Sequence, residues 1–170
     1  MCVCPWWLAY SFDNRLRRLL YKPEMVLKPY VNPGMTLLDL GCGMGFFSIA
    51  MASLVGDTGT VIGVDLQQQI LDVMMKRANR ANVARRIHPY RCTDDDIGSH
   101  APVDFALACY MLHEVPERAR FLRQVCANLK PKPRFLIMEP KFHVTKRAFA
   151  TSLAITAEAG LVQVDAPLFP

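Results

Sequence analysis

The chain has 170 residues, of which 52% are hydrophobic, and carries a formal net charge of +5 at neutral pH. This length suits one continuous core, so we expect a single domain over 1–170. The charge lacks the dense basic run of a nucleic-acid binder, and we expect no nucleic-acid partner. No apolar run approaches the roughly 20 residues that span a bilayer, and residues 1–7 lack the features of a signal peptide. We therefore expect a cytoplasmic protein without a membrane partner.

Six cysteines are scattered along the chain. Reduced thiols are usual in the cytoplasm, and a disulfide at Cys42 would obstruct the glycine-rich loop described below. Cys2 and Cys4 are spaced like half of a metal site, but no nearby Cys-x-x-Cys or histidine pair completes it. We therefore predict incidental thiols and no metal site.

The N-terminal segment begins with an aromatic cluster of Trp6, Trp7 and Tyr10. Apolar residues then recur at helical spacing over 12–20, with arginines on the other faces, which predicts an amphipathic helix. This helix and a short turn at 22–34 lead to the first strand. We expect the aromatic cluster to cap a hydrophobic edge or to shape a ligand pocket.

Residues 37–50 read as a short apolar strand, a tight turn and a buried helix. The turn holds Gly41, Gly43 and Gly45 at alternate positions, and Asp39 lies two places before the first of them. Glycines leave the backbone without side chains, so a ligand can lie against the first amides of the new helix. The positive end of the helix dipole attracts an anionic or carboxylate-bearing ligand there.

A second strand is predicted over 60–65 and ends in a carboxylate, Asp65. Dinucleotide enzymes use a related G-x-G-x-x-G loop, so the glycines alone leave the nucleotide open. The combination of Asp39, a G-x-G-x-G loop and Asp65 resembles class I S-adenosylmethionine-dependent methyltransferases. The resemblance implies an α/β fold: a doubly wound, Rossmann-like, mostly parallel sheet with helices on both faces over 34–170, and an N-terminal helical cap over 1–33. A doubly wound domain for a different nucleotide is the alternative.

The helix after this strand carries Met74 and Met75 at core spacing, so both are predicted to be packing residues. Residues 87–92 predict a third strand, followed by Thr93 and three aspartates. Residues 98–102 look like a short connector where the family has a helix. In the family, a side chain just past the third strand accepts a hydrogen bond from the adenine amino group, and Thr93 or Asp94 is placed there by the resemblance.

After Asp104, residues 105–112 form an uninterrupted apolar run, which is typical of a central parallel strand buried on both faces. The strand leads into a loop that holds His113 and Glu114, at the point where open α/β sheets bind ligands. A helix is predicted from Pro116, with its core stripe ending at Leu129.

The motif 130–133, with two prolines, predicts a stop before a fifth strand over 134–140, which carries Glu139. His143 follows in a turn, and Thr145 is predicted to cap a helix that ends at Gly160. A sixth strand is predicted over 161–165. The seventh, antiparallel strand of class I methyltransferases has no counterpart here, so we expect a sheet edge that needs cover. We expect the segment after the helix that ends at Gly160 to do one of three things: to dock on the edge of the fifth strand, to detach from it, or to swap between two chains and form a homodimer.

The resemblance implies S-adenosylmethionine as cofactor and S-adenosylhomocysteine as product, with Asp65 on the ribose and Leu66 against the purine. The cofactor-binding residues implied are Asp39, Gly41, Cys42, Gly43, Gly45, Asp65, Leu66, Thr93, Asp94, Cys109 and Tyr110. The leading helices of such enzymes often roof the acceptor pocket, and we expect a small-molecule acceptor.

Methyl transfer from a sulfonium depends mainly on positioning, and a base is required only when the acceptor must lose a proton. The candidates for a base or an acceptor-orienting group are His113, Glu139 and His143. Two alternatives remain: a module that binds the cofactor without catalysis, or a truncated inactive fragment. A third is an arsenic-type methyltransferase, in which Cys42, Cys92 and Cys109 would hold a soft acceptor.

Overall fold

Residues 22–167 are described in a computed structural model of the chain. The strands are β1 (Thr36–Leu40), β2 (Thr60–Asp65), β3 (Ile87–Arg91), β4 (Val103–Cys109) and β5 (Leu129–Met138). The helices are α1 (Pro23–Leu27), α2 (Phe46–Val55), α3 (Gln68–Arg80), α4 (Arg118–Ala127) and α5 (Lys146–Glu158). Single 3₁₀ turns occupy Ala84–Arg86 and Leu112–Glu114. The predicted aromatic cluster, the helix at 12–20, the Cys2 and Cys4 pair and most of the predicted cap lie outside the described residues.

The five strands form one sheet in the order β3-β2-β1-β4-β5, and every neighbouring pair is parallel. The central strand β1 pairs on one side with β2 and on the other with β4. Since all strands run the same way, their carboxyl ends meet at one edge, and the order reverses beside β1. The doubly wound parallel sheet predicted from the sequence is confirmed.

Helices cover both faces of the sheet, because alternate residues of a buried strand face opposite sides. On β4, Phe105 and Leu107 pack into a core with α1, α2 and α3. Their neighbours Ala106 and Ala108 pack into a second core with α4, against which α5 also lies. The continuous apolar strand β4 is therefore buried on both faces, as its sequence predicted.

The helices differ in how much of their surface is buried. Helix α2 is apolar on nearly all sides, and seven of its ten residues are buried. Helix α3 has one buried stripe, in which Met74 is fully buried, while Met75 is only partly buried against the same core. Both methionines are packing residues, as predicted. Of the helices within residues 22–167, none combines the length and apolar character needed to cross a bilayer.

The start of β5 corrects the sequence prediction. Helix α4 ends at Ala127, so Leu129 belongs to the strand instead of the helix, and the two prolines do not stop it. The pairing slips between Val103 and Phe105 of β4, and Lys132 has a φ of +58°. The bulge accommodates the two prolines because β5 lies at the edge of the sheet. A proline has no backbone N–H to donate, and on an edge strand this need not leave a neighbouring carbonyl without its partner. Helix α4 likewise begins two residues after Pro116.

The predicted sixth strand over 161–165 is wrong. Val162 and Val164 are each 82% exposed, and no strand is assigned after α5 within the described residues. The Leu161 N–H donates to the Thr156 carbonyl, which completes the end of α5. Alternating apolar residues form a strand only where a neighbouring strand supplies backbone hydrogen-bond partners. The backbone hydrogen bond described here is made instead to the adjacent end of α5. In the part of the chain that the structure describes, β5 is therefore an edge strand, as expected.

We expect Phe105→Ala to lower the free energy of unfolding by about 3–5 kcal/mol, because it empties a site at the centre of the sheet. Phe105 has 0% exposure, and its ring stacks on Tyr30 with centroids 5.9 Å apart. Urea denaturation measures the change. The matched control is Phe142→Ala at a fully exposed phenylalanine, which should shift the free energy by less than about 0.5 kcal/mol. Equal effects of both substitutions would contradict the assigned core.

Candidate functional site

The glycine-rich loop between β1 and α2 holds three residues with positive φ: Gly41 at +63°, Gly43 at +53° and Gly45 at +84°. An added Cβ at Gly41 would lie 2.9 Å from the Met111 Cγ, and one at Gly45 would lie 2.7 Å from the Met74 Cγ. At Gly43 an added Cβ would meet no atom within 4 Å. Gly41 and Gly45 therefore serve the packing of the protein, whereas Gly43 leaves open space above the loop.

Asp65, the last residue of β2, ties this loop to the neighbouring strand. Its Oδ2 accepts the Gly43 N–H at 3.1 Å, and its Oδ1 accepts the Gln67 N–H at 3.0 Å. Burial raises the pKa of the Asp65 carboxyl, and the backbone donors only partly oppose this. A carboxylate oxygen accepts two hydrogen bonds, so both oxygens keep capacity for further donors. The site thus combines a bare backbone with a carboxylate that keeps hydrogen-bond capacity on both oxygens.

Asp39 lies beneath the loop and is 2% exposed. It accepts a hydrogen bond from the Ser48 hydroxyl on the buried side of α2. Burial raises the pKa of Asp39 to about 7, and the negative charge of Asp65 adds to this. The structure therefore places Asp39 where it joins β1 to α2. The sequence prediction missed Ser48, although a hydroxyl on the apolar face of this helix was a usable signal.

The cysteines predicted at the site present different groups to it. The Cys42 side chain is buried, with its Sγ 3.4 Å from the position of an added Cβ at Gly63, and its thiol donates to the Gly43 carbonyl at 3.7 Å. Burial raises the pKa of the Cys42 thiol well above its usual value and that of Cys92 to about 11. Both are neutral thiols near pH 7, which weighs against a thiolate site for a soft acceptor.

Tyr110 follows β4 with a φ of +57° and is 40% exposed. Its N–H donates to the Met138 carbonyl at 2.8 Å, which links the end of β4 to the end of β5. A positive φ is uncommon in a non-glycine residue and bends the chain sharply. The bend directs the next turn, which holds Met111 and His113, back toward the glycine loop. Leu66 and Cys109 lie half-buried at the ends of β2 and β4.

The acidic segment after β3 forms a turn in which three of the four residues have partners. The Thr93 Oγ1 accepts the Asp96 N–H at 3.1 Å, and the Asp96 carboxylate accepts the Gly98 N–H at 2.8 Å. Asp95 lies 3.5 Å from the Arg120 guanidinium. The Asp94 side chain makes no hydrogen bond or ion pair with any residue in the described range. It is the carboxylate of this turn that stays available to a ligand.

The three predicted base candidates meet at the same edge of the sheet. The His113 Nδ1 lies 2.6 Å from the Glu139 Oε2, and the His113 N–H donates to the Glu139 Oε1 at 3.0 Å. The His143 ring contacts the His113 ring edge-to-face, with centroids 4.8 Å apart. The sequence placed His113 and His143 on loops and Glu139 at the end of the fifth strand, all at this edge, but it did not predict that they pair.

Glu114 belongs to the same cluster. The sequence placed it in this loop beside His113, but not among the base candidates. Its Oε1 lies 4.0 Å from the His113 Nε2. Burial raises the pKa of the Glu114 carboxyl, the charges of Glu139 and Asp65 raise it further, and the two histidines oppose them. Of these contributions, that of Asp65 is the smallest. No group of three metal-ligating side chains was found among residues 22–167.

Comparisons with known proteins agree with this architecture. The sequence profile of the family described as "Methyltransferase domain" matches residues 31–162. The chain is 30% identical over 141 residues to the demethylmenaquinone methyltransferase of Lactobacillus johnsonii, covering 78% of this chain and 52% of that protein. It is 32% identical over 122 residues to the 2-phytyl-1,4-naphtoquinone methyltransferase of Trichormus variabilis, covering 71% of this chain and 52% of that protein. The chain thus spans about half the length of both relatives.

A crystal structure described as a SAM-dependent methyltransferase from Aquifex aeolicus superposes with a TM-score of 0.81. The alignment covers 93% of this chain and 89% of that chain, at 24% sequence identity. At this identity the likeness concerns the fold, and it extends over nearly the whole sheet and its helices.

We expect Asp39→Asn to stabilise the protein increasingly as the pH rises from about 4 to about 7. In this interval the folded state keeps a proton on Asp39 that the unfolded state has released, so the free energy of unfolding of the parent protein falls with pH. Asparagine does not titrate and resembles the protonated acid. The difference between variant and parent should grow by up to about 4 kcal/mol and then level off.

Urea denaturation of both proteins at about pH 5 and about pH 8 measures this difference. Asp57→Asn, at an exposed carboxylate of the turn before β2, is the matched control and should show no such growth. A difference between Asp39→Asn and the parent that stays constant with pH would show that Asp39 is not a buried, titrating acid.

Proposed function

The chain belongs to the methyltransferase domain family, and from this premise we propose that it transfers a methyl group from S-adenosylmethionine to a small-molecule acceptor. The products are the methylated acceptor and S-adenosylhomocysteine. Family membership gives the reaction class, while the acceptor depends on the loops above the sheet. The cytoplasmic location expected from the sequence stays a prediction.

The observation that carries the proposal is the open space above Gly43, beside the Asp65 carboxylate. The φ of +53° at Gly43 by itself favours glycine, and an added Cβ there would meet no protein atom within 4 Å. The backbone at Gly43 is therefore open, so a ligand can lie against it beside the Asp65 carboxylate, which accepts the Gly43 N–H. Asp65 supplies the acceptors for two ribose hydroxyls, and the amino end of α2 faces the carboxylate of the cofactor's methionine part. When bound, the cofactor supplies an electrophilic methyl group on sulfur.

The remaining cofactor contacts follow from the order of the strands. Leu66 offers an apolar surface for the purine at the end of β2, and Cys109 and Tyr110 line the methionine end after β4. We assign the hydrogen bond from the adenine amino group to Asp94, because Thr93 is engaged within its own turn. Asp39 acts indirectly, by holding α2 and the loop.

A quinol-like aromatic ring is the acceptor class that the comparisons favour. The two curated relatives are named for the methylation of a demethylmenaquinone and of a phytyl naphthoquinone. A reduced naphthoquinone is therefore the first acceptor to test. Release of S-adenosylhomocysteine with this acceptor separates an enzyme from a module that only binds the cofactor.

A homodimer through the edge of β5 stays a prediction. The edge carries two prolines, a bulge and the exposed Lys132 and Arg134, all of which disfavour pairing with another strand. Sedimentation at several concentrations tests it.

Calorimetric titration with S-adenosylhomocysteine tests the cofactor site. We expect Gly43→Ala to weaken binding by about tenfold or more, because the new methyl group occupies the surface on which the ligand lies. The matched control is Gly160→Ala, which also places alanine at a positive φ with no atom within 4 Å, but after α5. Both variants lose about 1 kcal/mol of folding stability, and the control keeps its affinity. An affinity unchanged by Gly43→Ala would contradict the site.

The same titration distinguishes the acidic residues after β3. We expect Asp94→Ala to weaken binding of S-adenosylhomocysteine by about tenfold, through loss of one hydrogen bond to a carboxylate. Asp95→Ala removes a neighbouring carboxylate that pairs with Arg120 and should leave the affinity unchanged. The reverse order of effects would reassign the adenine contact.

A further inference from the structure

Glu139 uses both of its carboxylate oxygens on a single residue. Oε1 accepts the backbone N–H of His113 at 3.0 Å, and Oε2 lies 2.6 Å from the Nδ1 of the same residue. The Glu139 side chain is 5% exposed and that of His113 is 18% exposed. This pair of contacts fixes both the backbone and the ring of His113 against the end of β5.

The contact to the ring selects one tautomer of His113. A carboxylate only accepts hydrogen bonds, so the imidazole Nδ1 must carry the hydrogen. In the neutral ring the lone pair then belongs to Nε2. The nearest carboxylate oxygen to Nε2 is the Glu114 Oε1 at 4.0 Å, which is beyond hydrogen-bond distance. Within the described residues, Nε2 therefore remains an available proton acceptor.

The turn that carries His113 is packed directly against the cofactor loop. The Met111 side chain lies so close to Gly41 that an added Cβ would approach its Cγ to 2.9 Å. His143 covers the second side of the His113 ring from the turn after β5. The available Nε2 thus lies on the turn that borders the proposed cofactor site.

We propose that His113 Nε2 is the base that takes a proton from the methyl acceptor, and that Glu139 is a positioning residue that holds His113 in the Nδ1–H tautomer. This inference rests on the proposed methyl transfer. The acceptor atom forms its new bond to the methyl carbon while the carbon–sulfur electron pair stays on sulfur. The proton that the acceptor atom loses goes to Nε2, and the resulting imidazolium is stabilised by the Glu139 carboxylate.

The pair of His113 and Glu139, called the dyad below, narrows the class of methyl acceptor. A base is useful only if the reacting atom carries a proton that must leave, as in a phenolic hydroxyl or the ring carbon of a reduced quinone. A thioether or a tertiary amine has no such proton and would gain nothing from it. The acceptor is therefore one whose reacting atom carries a proton, and within that class the reduced naphthoquinone suggested by the relatives is the acceptor to test.

The tautomer of His113 can be measured in the free protein by long-range ¹H–¹⁵N NMR at neutral pH. The chain has four histidines, and the signals that disappear in His113→Gln identify this ring. We expect the Nδ1–H tautomer in the parent protein and a shift toward Nε2–H in Glu139→Gln, whose amide can accept only one of the two donors. Glu114→Gln is the matched control, since Glu114 makes no hydrogen bond to the ring, and it should keep the parent tautomer.

Methyl transfer to reduced 1,4-naphthoquinone provides the second measurement. We expect His113→Gln to lower the rate by about 10²–10⁴-fold while the affinity for S-adenosylhomocysteine stays the same. We expect Glu139→Gln to lower it by about 10²-fold and to change the pH profile, to which Glu114 and His143 also contribute. An Nε2–H tautomer in the parent, an unchanged tautomer in Glu139→Gln, or a His113→Gln rate within about threefold of the parent would overturn the dyad.

The two proposals fail in different ways. If the parent protein does not bind S-adenosylhomocysteine, the proposed function fails whatever the NMR spectra show. If it binds but does not methylate this acceptor, the tautomer spectra alone decide for or against the dyad.

Discussion

The hydrogen bond from the Gly43 N–H to the Asp65 carboxylate holds the site together. The two residues are 22 positions apart, and the parallel register of β1 and β2 brings the ends of these strands to the same level. The Cys42 N–H adds a bond to the Val64 carbonyl at 3.0 Å. A loop of glycines in positive φ has many other conformations open to it, so these bonds to β2 are what give it one shape.

Two partly opposed requirements meet at this loop. The proposed ligand site uses the ionised carboxylate of Asp65. Burial opposes ionisation, because it raises the pKa of both Asp65 and Asp39. Asp39 is satisfied by Ser48 on α2, so the acid that weakens stability also fixes the helix whose amides form the site. A positive charge bound nearby lowers both pKa values and stabilises the ionised forms.

Local signals in the sequence predicted most of the fold. Apolar runs, glycines and the acid at the end of β2 are contained within short segments, and their spacing fixes strand, loop and helix. Three features depended on distant partners and were not predicted correctly or at all. The alternating apolar residues at 161–165 have no neighbouring strand to pair with. The two prolines before 134 lie on an edge strand, which tolerates them. Ser48 donates a hydrogen bond to Asp39 across the interface between the sheet and α2. The different packing of Gly41, Gly43 and Gly45 likewise depends on Met111 and Met74, which no local pattern places.

The candidate site divides along the same line. The half proposed to hold the cofactor consists of backbone groups and one strand-end acid, all of which lie in short segments that a local motif describes. Its acceptor half consists of side chains from two loops, and His113 and Glu139 are 26 positions apart. They meet because Cys109 and Met138 pair as the last residues of the neighbouring strands β4 and β5, which brings the following loops to one level. The pairing of a histidine and a glutamate in such loops can therefore be inferred from sequence only once strand adjacency and register are known. This is why one fold keeps its cofactor while its acceptors vary: loop side chains can change without disturbing the register that forms the cofactor half.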